Sequence, residues 1–368
     1  MDADLIDDET IPISRKSVMP GEGFFVPDEL EEDRAEAEAA EALDDVGIAV
    51  VADPDADGLA CVALLREAYG EAALIPAGPH EIEDGLEYVA EYADPDVDLF
   101  VCDLCPDRFE YVEDELAAAQ ERAGDVRWFD HHQWRDEVAR LVREAGVDLV
   151  VGDSDEECTA DVLVRSLDYD FDDRFVDLAA VTRDHDLWLR EDSRSDDLAD
   201  YAYWADPEEY VETVLEHGAD LPTAVEEFIA ERRIQKDALI EHAVERAMFE
   251  EIGPWTVGVT YGRCSQNEVA EAMREQGADA SVIVKPAGSA SIRGTDKFER
   301  AHEVAGKVNG GGHPKAAGCK PDIYDDMLDL AHHWTTRGAV TKQVILDAFR
   351  EVAREVERED EDGIDSER

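Results

Sequence analysis

The stretch "VGIAVVADPDADGLACVALLREAYG", residues 46–70, decides the fold class. It begins with a short apolar, β-branched run that is typical of a buried strand. An acidic turn, "DPDADG", follows, and the residues after it have apolar side chains at helical spacing. A strand that leads straight into a helix predicts the first part of a β-α-β unit, and therefore a parallel sheet.

Four further apolar runs continue this pattern along the chain. They are "AALIPAG" (residues 72–78), "VDLFVCD" (97–103), "DVRWFD" (125–130) and "VDLVVGD" (147–153). Helical segments such as "YVEDELAAAQERAG" (111–124) separate them. Strands that alternate with helices in this way predict an α/β fold, with a doubly wound parallel sheet and helices on both of its faces.

The rest of the chain predicts a second, smaller domain. A mostly helical stretch ends near residues 253–254, and "WTVGVTY" (255–261) and "ASVIVKP" (280–286) predict strands of an α+β domain. We therefore expect an acidic N-terminal lead-in at residues 1–45, the parallel-sheet domain at 46–200 and a helical connector at 201–253. The second domain is expected at 254–355 and an acidic tail at 356–368.

The charge balance is extreme for a globular chain. Of 368 residues, 94 are acidic and 34 basic, which gives a formal net charge of -60 spread along the whole length. A field of this sign repels nucleic acid and anionic membranes at ordinary salt. It is typical of cytosolic proteins of halophilic archaea, because molar salt screens the repulsion between surface charges. The acidity therefore reflects the solvent rather than the substrate.

The sequence lacks the patterns of a secreted or membrane protein. The N-terminal "MDADLIDDET" has neither a basic region nor an apolar core, and no apolar run approaches the roughly 20 residues that span a bilayer. The six cysteines have irregular spacing and predict no disulfide framework. We expect a cytoplasmic protein with no membrane partner.

Acidic and imidazole side chains gather at the ends of the predicted strands. They are Asp53, Asp55 and Asp57 after the first strand, Asp103 after the third, and Asp130, His131 and His132 after the fourth. The carboxyl ends of parallel strands form the ligand-binding edge of an α/β sheet. Carboxylates crowded at one edge repel each other unless a cation lies between them, and added imidazoles favour manganese, iron or zinc over calcium or magnesium. The set is large enough for two metal ions.

A simpler interpretation exists for each aspartate. An isolated aspartate at a strand end is commonly a helix cap or a turn residue, as we expect for Asp153. In so acidic a chain, surface decoration is a serious alternative for the "DPDADG" acids as well. The histidines favour a metal site, because the chain has only 10 of them and two follow Asp130 directly.

With these residues the chain resembles the DHH phosphoesterase family. "DPDADG" (53–58) is similar to the first motif of the family, "FVCD" (100–103) to the second, "FDHH" (129–132) to the third and "VTRDHDLW" (181–188) to the fourth. "SIRG" (291–294) and "KVNGGGHPKAAGC" (307–319) resemble the glycine-rich signature of its associated substrate-binding domain. The resemblance implies a catalytic domain at 46–200 and a substrate-binding domain at 254–355.

The resemblance also implies a set of metal ligands. They are Asp55, Asp57, Asp103, His131 and Asp184. Asp103 would be shared by two ions, and Asp186 is the alternative to Asp184. Many members of the family have a histidine where this chain has Val51, and Asp53 is the candidate replacement. The implied cofactor is a pair of divalent ions, Mn2+ first, with Mg2+ or Co2+ as alternatives.

Further residues would act on the substrate. The resemblance implies that His132 lies beside the metals and the scissile phosphate, and that Asp130 orients a histidine. In the second domain, Arg293 and His313 would contact a phosphate or a terminal base. The consecutive glycines Gly310, Gly311 and Gly312 leave backbone N–H groups free to approach an anion.

The distribution of lysine gives separate support for an anion site. No lysine occurs between Lys16 and Lys236, whereas five lie between residues 285 and 320. The alternative is a charge-balanced patch on a small domain. The pair His332 and His333 lies on a helical stretch without acidic partners at ligand spacing, and we expect it at the surface.

The predicted function is two-metal-dependent hydrolysis of phosphodiester or phosphomonoester bonds. No third domain of the nucleic-acid-binding kind is visible, which favours short oligonucleotides or nucleotides as substrates. One alternative is a RecJ-like exonuclease on longer single-stranded DNA or RNA, which would need a basic track with interleaved aromatics. Another is a nucleotide-binding sensor with little or no catalysis. The oligomeric state is open, with a homodimer as one option.

Overall fold

The computed structural model describes residues 28–324 and 327–366. The described residues divide into two compact units, one that ends at Ala230 and one that begins at Glu231. Each unit has its own sheet, so we describe each by itself. The division falls inside α10, Thr223–Glu245, within the segment that the sequence predicts as a connector.

A five-stranded parallel sheet forms the centre of the first unit. Its spatial order is β2-β1-β3-β4-β5, so the chain reverses its direction of winding between β2 and β3. The strands are β1 (Ile48–Ala52), β2 (Ala73–Pro76), β3 (Val97–Cys102), β4 (Ala123–Asp130) and β5 (Asp148–Val151). Ligand sites in such sheets lie at the carboxyl ends of the strands, next to the point of reversal.

Helices cover both faces of this sheet. The helices of the unit, with α10 at its end, are α1 (Asp28–Ala42), α2 (Ala56–Tyr69), α3 (Ile82–Tyr92), α4 (Glu113–Gln120), α5 (Asp136–Glu144), α6 (Thr159–Ser166), α7 (Asp173–Asp186), α8 (Ser195–Trp204) and α9 (Pro207–His217). In β1, Val50 and Ala52 belong to one apolar core and Ala49 and Val51 to another. Because side chains alternate between the two faces of a strand, these cores lie on opposite sides of the sheet. The predicted fold class is confirmed.

The second unit contains a mixed six-stranded sheet. Its order is β10-β11-β9-β8-β7-β6, with β7 and β8 parallel and the other pairs antiparallel. The strands are β6 (Met248–Ile252), β7 (Trp255–Tyr261), β8 (Ala280–Val284), β9 (Ala290–Gly294), β10 (Gly310–Gly312) and β11 (Ala316–Cys319). The helices are α11 (Gln266–Glu275), α12 (Ala301–Gly306), α13 (Met327–Thr336) and α14 (Ala339–Ser366).

Parts of the predicted termini lie outside the described residues. Of the expected lead-in at 1–45, residues 1–27 are not described, and the remainder contains α1. In the expected tail, α14 continues to Ser366, and only residues 367–368 fall outside the description. None of the helices within the described ranges is both long and apolar enough to cross a membrane.

Candidate metal centre

The first acidic side chain of the centre, Asp57, lies in the first turn of α2. It is 1 % exposed, and its two carboxylate oxygens accept hydrogen bonds from the start of α6. Thr159 N donates to Oδ2 at 2.7 Å and Ala160 N donates to Oδ1 at 2.9 Å. The unpaired N–H groups and the partial positive charge of a helix N-terminus stabilise a buried carboxylate in this position.

Asp103 follows β3 and has an unusual backbone conformation. Its φ is 60°, in the left-handed region that few residues other than glycine adopt, and it is 2 % exposed. Its Oδ1 accepts a hydrogen bond of 2.8 Å from Thr159 Oγ1. A strained backbone that holds a buried carboxylate is typical of a functional position.

His131 lies among these carboxylates, just after β4. Its Nε2 is 3.2 Å from Asp186 Oδ2, 3.7 Å from Asp103 Oδ1 and 4.0 Å from Asp57 Oδ2. The side chain is buried, and within residues 28–324 and 327–366 neither ring nitrogen has a hydrogen-bond partner. Buried polar atoms normally have a partner. Here several carboxylates converge on an imidazole that has no hydrogen-bond partner in the described ranges. Such a group of side chains is suited to hold a divalent cation.

The neighbouring imidazole, His132, pairs with Asp130. Its Nδ1 is 2.8 Å from Asp130 Oδ1, and Trp134 Nε1 donates to Asp130 Oδ2 at 2.5 Å. Partial burial lowers the pKa of His132, but the hydrogen bond and charge of Asp130 outweigh it and raise the pKa to about 9. Without bound cations, the imidazole, half of whose surface is exposed, therefore favours its protonated form and suits contact with an anion.

The carboxylates of the centre have raised pKa values. Burial, together with the charge of Asp55, raises the pKa of Asp57. Burial and the charges of Asp57 and Asp55 raise the pKa of Asp103 well above its usual range. The same causes raise the pKa of Asp186 to about 8. Without a cation the folded protein therefore favours protonated carboxyl groups here.

These pKa values predict how pH affects the metal-free protein. A carboxyl group whose pKa rises on folding stabilises the fold below its unfolded pKa of about 3.9, and this contribution is lost as the pH rises through the folded value. In EDTA and molar KCl, we expect the melting temperature of Asp186→Asn to rise relative to that of the wild type as the pH increases from 5 to 8. With Mn2+ added at pH 8, the wild type should instead have the higher melting temperature. A difference that does not change with pH would contradict the assignment.

The sequence motif favours Asp184 over Asp186 as a metal ligand, but in the structure Asp186 is the one that lies near His131. Asp184 is buried, and Ser195 Oγ donates to its carboxylate at 2.7 Å. Two backbone N–H groups, from Glu191 at 2.8 Å and Asp192 at 3.2 Å, donate to the same carboxylate. Asp184 thus organises the loop after α7, whereas the alternative ligand, Asp186, lies in the cluster with Asp57 and His131.

The remaining predicted ligands border the cluster. Asp55 is the N-cap of α2, and its Oδ1 accepts from Asp57 N and Gly58 N. Asp53 and Asp55 line a cleft of about 220 Å³ that also includes Asp57 and Asp186. The other residues that line the cleft are Pro54, Ala56, Thr182, His185, Ala199 and Tyr203. Val51, by contrast, packs in the core of the opposite sheet face, where a side chain on Gly85 would meet it.

The glycine-rich residues of the second unit form a strand rather than a free loop. Gly310–Gly312 constitute β10, which pairs with β11. A Cβ on Gly310 would lie 2.2 Å from the Gly318 oxygen, and Gly312 has a φ of +132°. The close approach of β11 therefore requires glycine whether or not an anion binds. His313 is exposed in the turn that follows, where its N–H donates to Ala316 O.

Basic side chains near this hairpin are engaged with acids and amides. Arg293 Nε donates to Asn267 Oδ1 at 2.9 Å. Lys297 pairs with Asp279 at 3.0 Å, and Lys315 with Asp296 at 2.7 Å. Lys307 likewise pairs with Glu355 at 2.9 Å. The lysine-rich segment is thus closer to the charge-balanced alternative than to a basic patch.

The expectation for the second histidine pair was half wrong. His332 is exposed, but His333 is only 4 % exposed. His333 Nε2 lies 2.8 Å from Lys285 O, and its Nδ1 lies 2.8 Å from the Tyr324 hydroxyl. A histidine whose two nitrogens are both satisfied inside a core has a structural explanation.

Two residues of the centre were not found from the sequence. Thr159 contacts both Asp57 and Asp103, and Trp134 contacts Asp130. The aromatic flank of "DHHQW" is a visible signal for Trp134. Thr159 is 102 residues from Asp57 along the chain, so no local pattern indicates the contact.

Comparisons with known proteins bear on the fold. No family model and no curated protein match the sequence. Among solved structures, exonuclease RecJ bound to manganese is similar with a TM-score of 0.51 at 16 % identity, over 89 % of this chain and 96 % of that chain. The chain has a RecJ-like fold.

Two further structures share this likeness. A DHH domain from a protein described as a member of a family of ribosomal proteins has a TM-score of 0.51 at 15 % identity, over 96 % of this chain and 93 % of that chain. A pGpG-specific phosphodiesterase from Vibrio cholerae has a TM-score of 0.49 at 14 % identity, over 82 % of this chain and 99 % of that chain. The RecJ and DHH-domain structures agree with the fold that the sequence motifs imply.

Proposed function

We propose that this protein is a DHH-family phosphoesterase that uses two divalent ions, Mn2+ first, to hydrolyse phosphoester bonds in short oligonucleotides or nucleotides. The observation that carries the proposal is the buried imidazole of His131, which has three carboxylates within 4.0 Å of its Nε2. A purely structural ion pair would bring one or two acids to a histidine with a hydrogen bond. Here the acids converge and the ring nitrogens have no such bond among the described residues.

Some residues of the site would bind the cations, and others would bind the substrate. Asp57, Asp103, His131 and Asp186 would be the metal ligands, with Asp103 as the shared one, and Asp53 and Asp55 stand beside them in the cleft. Bound divalent ions would lower the pKa of a water and neutralise the charge on phosphorus-bound oxygens. The convergence of these four side chains at adjoining strand and helix ends supports this proposal.

His132 is suited to act on the substrate. Asp130 holds the imidazole through Nδ1, which leaves Nε2 as a donor on the exposed side of the ring. The position of His132 beside the cluster suits it to donate a hydrogen bond to a phosphate oxygen or a proton to a leaving oxygen. Arg293, His313 and the Gly310–Gly312 strand are proposed as the substrate contacts of the second unit.

Short substrates remain the preferred class. At ordinary salt the net charge of -60 opposes a long polyanion, and three of the lysines that would start a basic track, Lys297, Lys307 and Lys315, are paired with acids. Molar salt in the cytoplasm of a halophile would weaken this repulsion without creating a binding track. A RecJ-like exonuclease on long single strands is the main alternative.

Cleavage of defined substrates tests the proposal. We would incubate the protein with Mn2+ in molar KCl and labelled dinucleotide, 24-mer single strand or adenosine 3',5'-bisphosphate. His131→Ala should reduce turnover by about 10³-fold or more, since loss of several kcal/mol of metal-derived stabilisation gives such a factor. His332→Ala, which removes an exposed histidine of α13, is the matched control and should retain full activity.

The outcomes separate the three functions. Turnover of only the short substrates supports the proposal. Processive degradation of the 24-mer supports the exonuclease, and nucleotide binding without turnover supports a sensor. Equal turnover by the wild type and His131→Ala would show that the reaction does not depend on the metal centre.

A further inference from the structure

The first turn of α6 joins the acids of the proposed metal centre. Its backbone N–H groups at Thr159 and Ala160 donate to Asp57, and the Thr159 hydroxyl donates to Asp103. One residue, Thr159, thus bonds two carboxylates that come from α2 and from the end of β3. Thr159 is fully buried, so no water competes for this hydroxyl from outside.

The same turn is fixed to the helix that carries a third carboxylate. Asp161 Oδ2 accepts from Cys158 N at 3.2 Å, which caps the start of α6. Its Oδ1 accepts from Arg183 Nη1 of α7 at 2.8 Å. Because α7 ends at Asp186, the first turn of α6 is tied to the elements that carry all three carboxylates.

The hydroxyl determines where one oxygen of Asp103 points. The bonded atom, Oδ1, lies 3.7 Å from His131 Nε2 and 3.7 Å from His132 Nδ1. An oxygen that accepts one hydrogen bond keeps a second lone pair, so Oδ1 can still bind a cation beside the two imidazoles. A threonine hydroxyl, unlike an ammonium or guanidinium group, bonds this oxygen without placing a positive charge next to a cation site.

We propose that Thr159 is a positioning residue that holds the Asp103 carboxylate in the orientation needed to bind divalent ions. The inference rests on the proposed function for the identity of the bound group. Partners that orient metal ligands are typically worth about 10- to 100-fold in metal affinity. The loss of the Thr159 hydroxyl should therefore weaken Mn2+ binding by about this factor while the acids themselves remain in place.

The test measures Mn2+ binding by the full chain from the EPR signal of free Mn2+ in molar KCl. Thr159→Val keeps the shape and the backbone N–H bonds to Asp57 but removes the hydroxyl, and should raise the Kd about 10- to 100-fold. Thr159→Ser restores the hydroxyl and should bind within about 3-fold of the wild type. If Thr159→Val does not fold, Thr159→Ala gives the same comparison with a smaller side chain.

A matched control separates positioning from a loss of stability. Thr260, on β7 of the other unit, is also fully buried and donates its hydroxyl to Ala243 O. Thr260→Val should lower the melting temperature as much as Thr159→Val but leave the Kd for Mn2+ unchanged. An unchanged Kd in Thr159→Val, or an equal weakening in both variants, would overturn the inference.

The test also distinguishes this inference from the proposed function. Mn2+ binding that depends on Thr159 in a protein that hydrolyses none of the substrates would reject the function and retain the positioning role. Hydrolysis by a protein whose Kd for Mn2+ does not depend on Thr159 would retain the proposed function and reject the positioning role. A wild type that binds no Mn2+ would overturn both.

Discussion

Replacing Asp103 by asparagine is expected to abolish hydrolysis and, at the same time, to stabilise the metal-free protein. We expect turnover to fall by about 10³-fold or more, because Asp103, the proposed shared ligand of two ions, would lose its charge. The measurements are turnover of the preferred substrate with Mn2+, and melting temperature in EDTA, both in molar KCl. The two effects have opposite signs, which distinguishes a functional acid from a structural one.

The expected stabilisation follows from the surroundings of Asp103. The side chain is 2 % exposed, and burial and neighbouring acids raise its pKa well above the usual range. Asparagine has nearly the same shape as aspartate and has no charge to desolvate. It also tolerates the left-handed backbone, and its amide oxygen can still accept the hydrogen bond from Thr159. In Mn2+ the order should reverse, because only the wild type gains stability from the bound ion.

Asp153 provides the matched control for this substitution. It also follows a strand, β5, but its carboxylate accepts from Asp155 N at 3.0 Å within an exposed turn. Asp153→Asn should leave turnover and Mn2+ stabilisation as in the wild type. Loss of activity in both variants would indicate a general effect of charge removal rather than a metal centre.

The strands could be predicted because both faces of the sheet are buried. The apolar parts of the strands then appear as short runs in the sequence, and the predicted runs at 97–103 and 147–153 contain β3, Val97–Cys102, and β5, Asp148–Val151. The first half of β4 departs from this pattern, since Gly124 and Asp125 are exposed. The acids follow these runs directly, so the parallel topology alone brings Asp57, Asp103 and His131 to one edge. This part of the site follows from local sequence and one rule of topology.

The choice between Asp184 and Asp186 depends on helical phase, which the motif did not include. At about 100° per residue, Asp186 lies on the same side of α7 as Phe175, Ala179 and Thr182, whereas Asp184 lies opposite Phe175. Phe175 and Ala179 pack in the core that also contains α2, and α2 carries Asp57. Asp184 is buried as well, on another side of the helix, so burial alone does not distinguish the two aspartates, whereas the direction toward α2 does.

The glycines and Thr159 show where local patterns provide no information. A run of three glycines has no side chains to indicate a strand, and the close approach of β11 explains two of them, Gly310 and Gly312. Thr159 lies 56 residues from Asp103 in sequence, and its hydrogen bond exists only because β3 and α6 meet at the sheet edge. Both features depend on long-range packing.

Paired substitutions at the end of α7 should separate a metal ligand from a loop-organising residue. Asp186→Asn is expected to weaken Mn2+ binding and to reduce turnover by at least about 10²-fold, because the carboxylate oxygen nearest to His131, at 3.2 Å, becomes neutral. Asp184→Asn should instead destabilise the protein by about 1–3 kcal/mol, because an amide cannot accept all the bonds that Ser195, Glu191 and Asp192 donate.

The pH dependence gives Asp184 a second signature. Burial acts to raise its pKa, but the Ser195 hydroxyl and the two backbone N–H groups outweigh it and lower the pKa. A carboxyl with a lowered folded pKa contributes stability above its unfolded pKa of about 3.9, and the contribution disappears as the pH falls through the folded value. The destabilisation by Asp184→Asn should therefore be full at pH 7 and shrink below pH 4. If Asp184→Asn instead abolishes Mn2+ binding at full thermal stability, Asp184 is the ligand and the assignment of Asp186 fails.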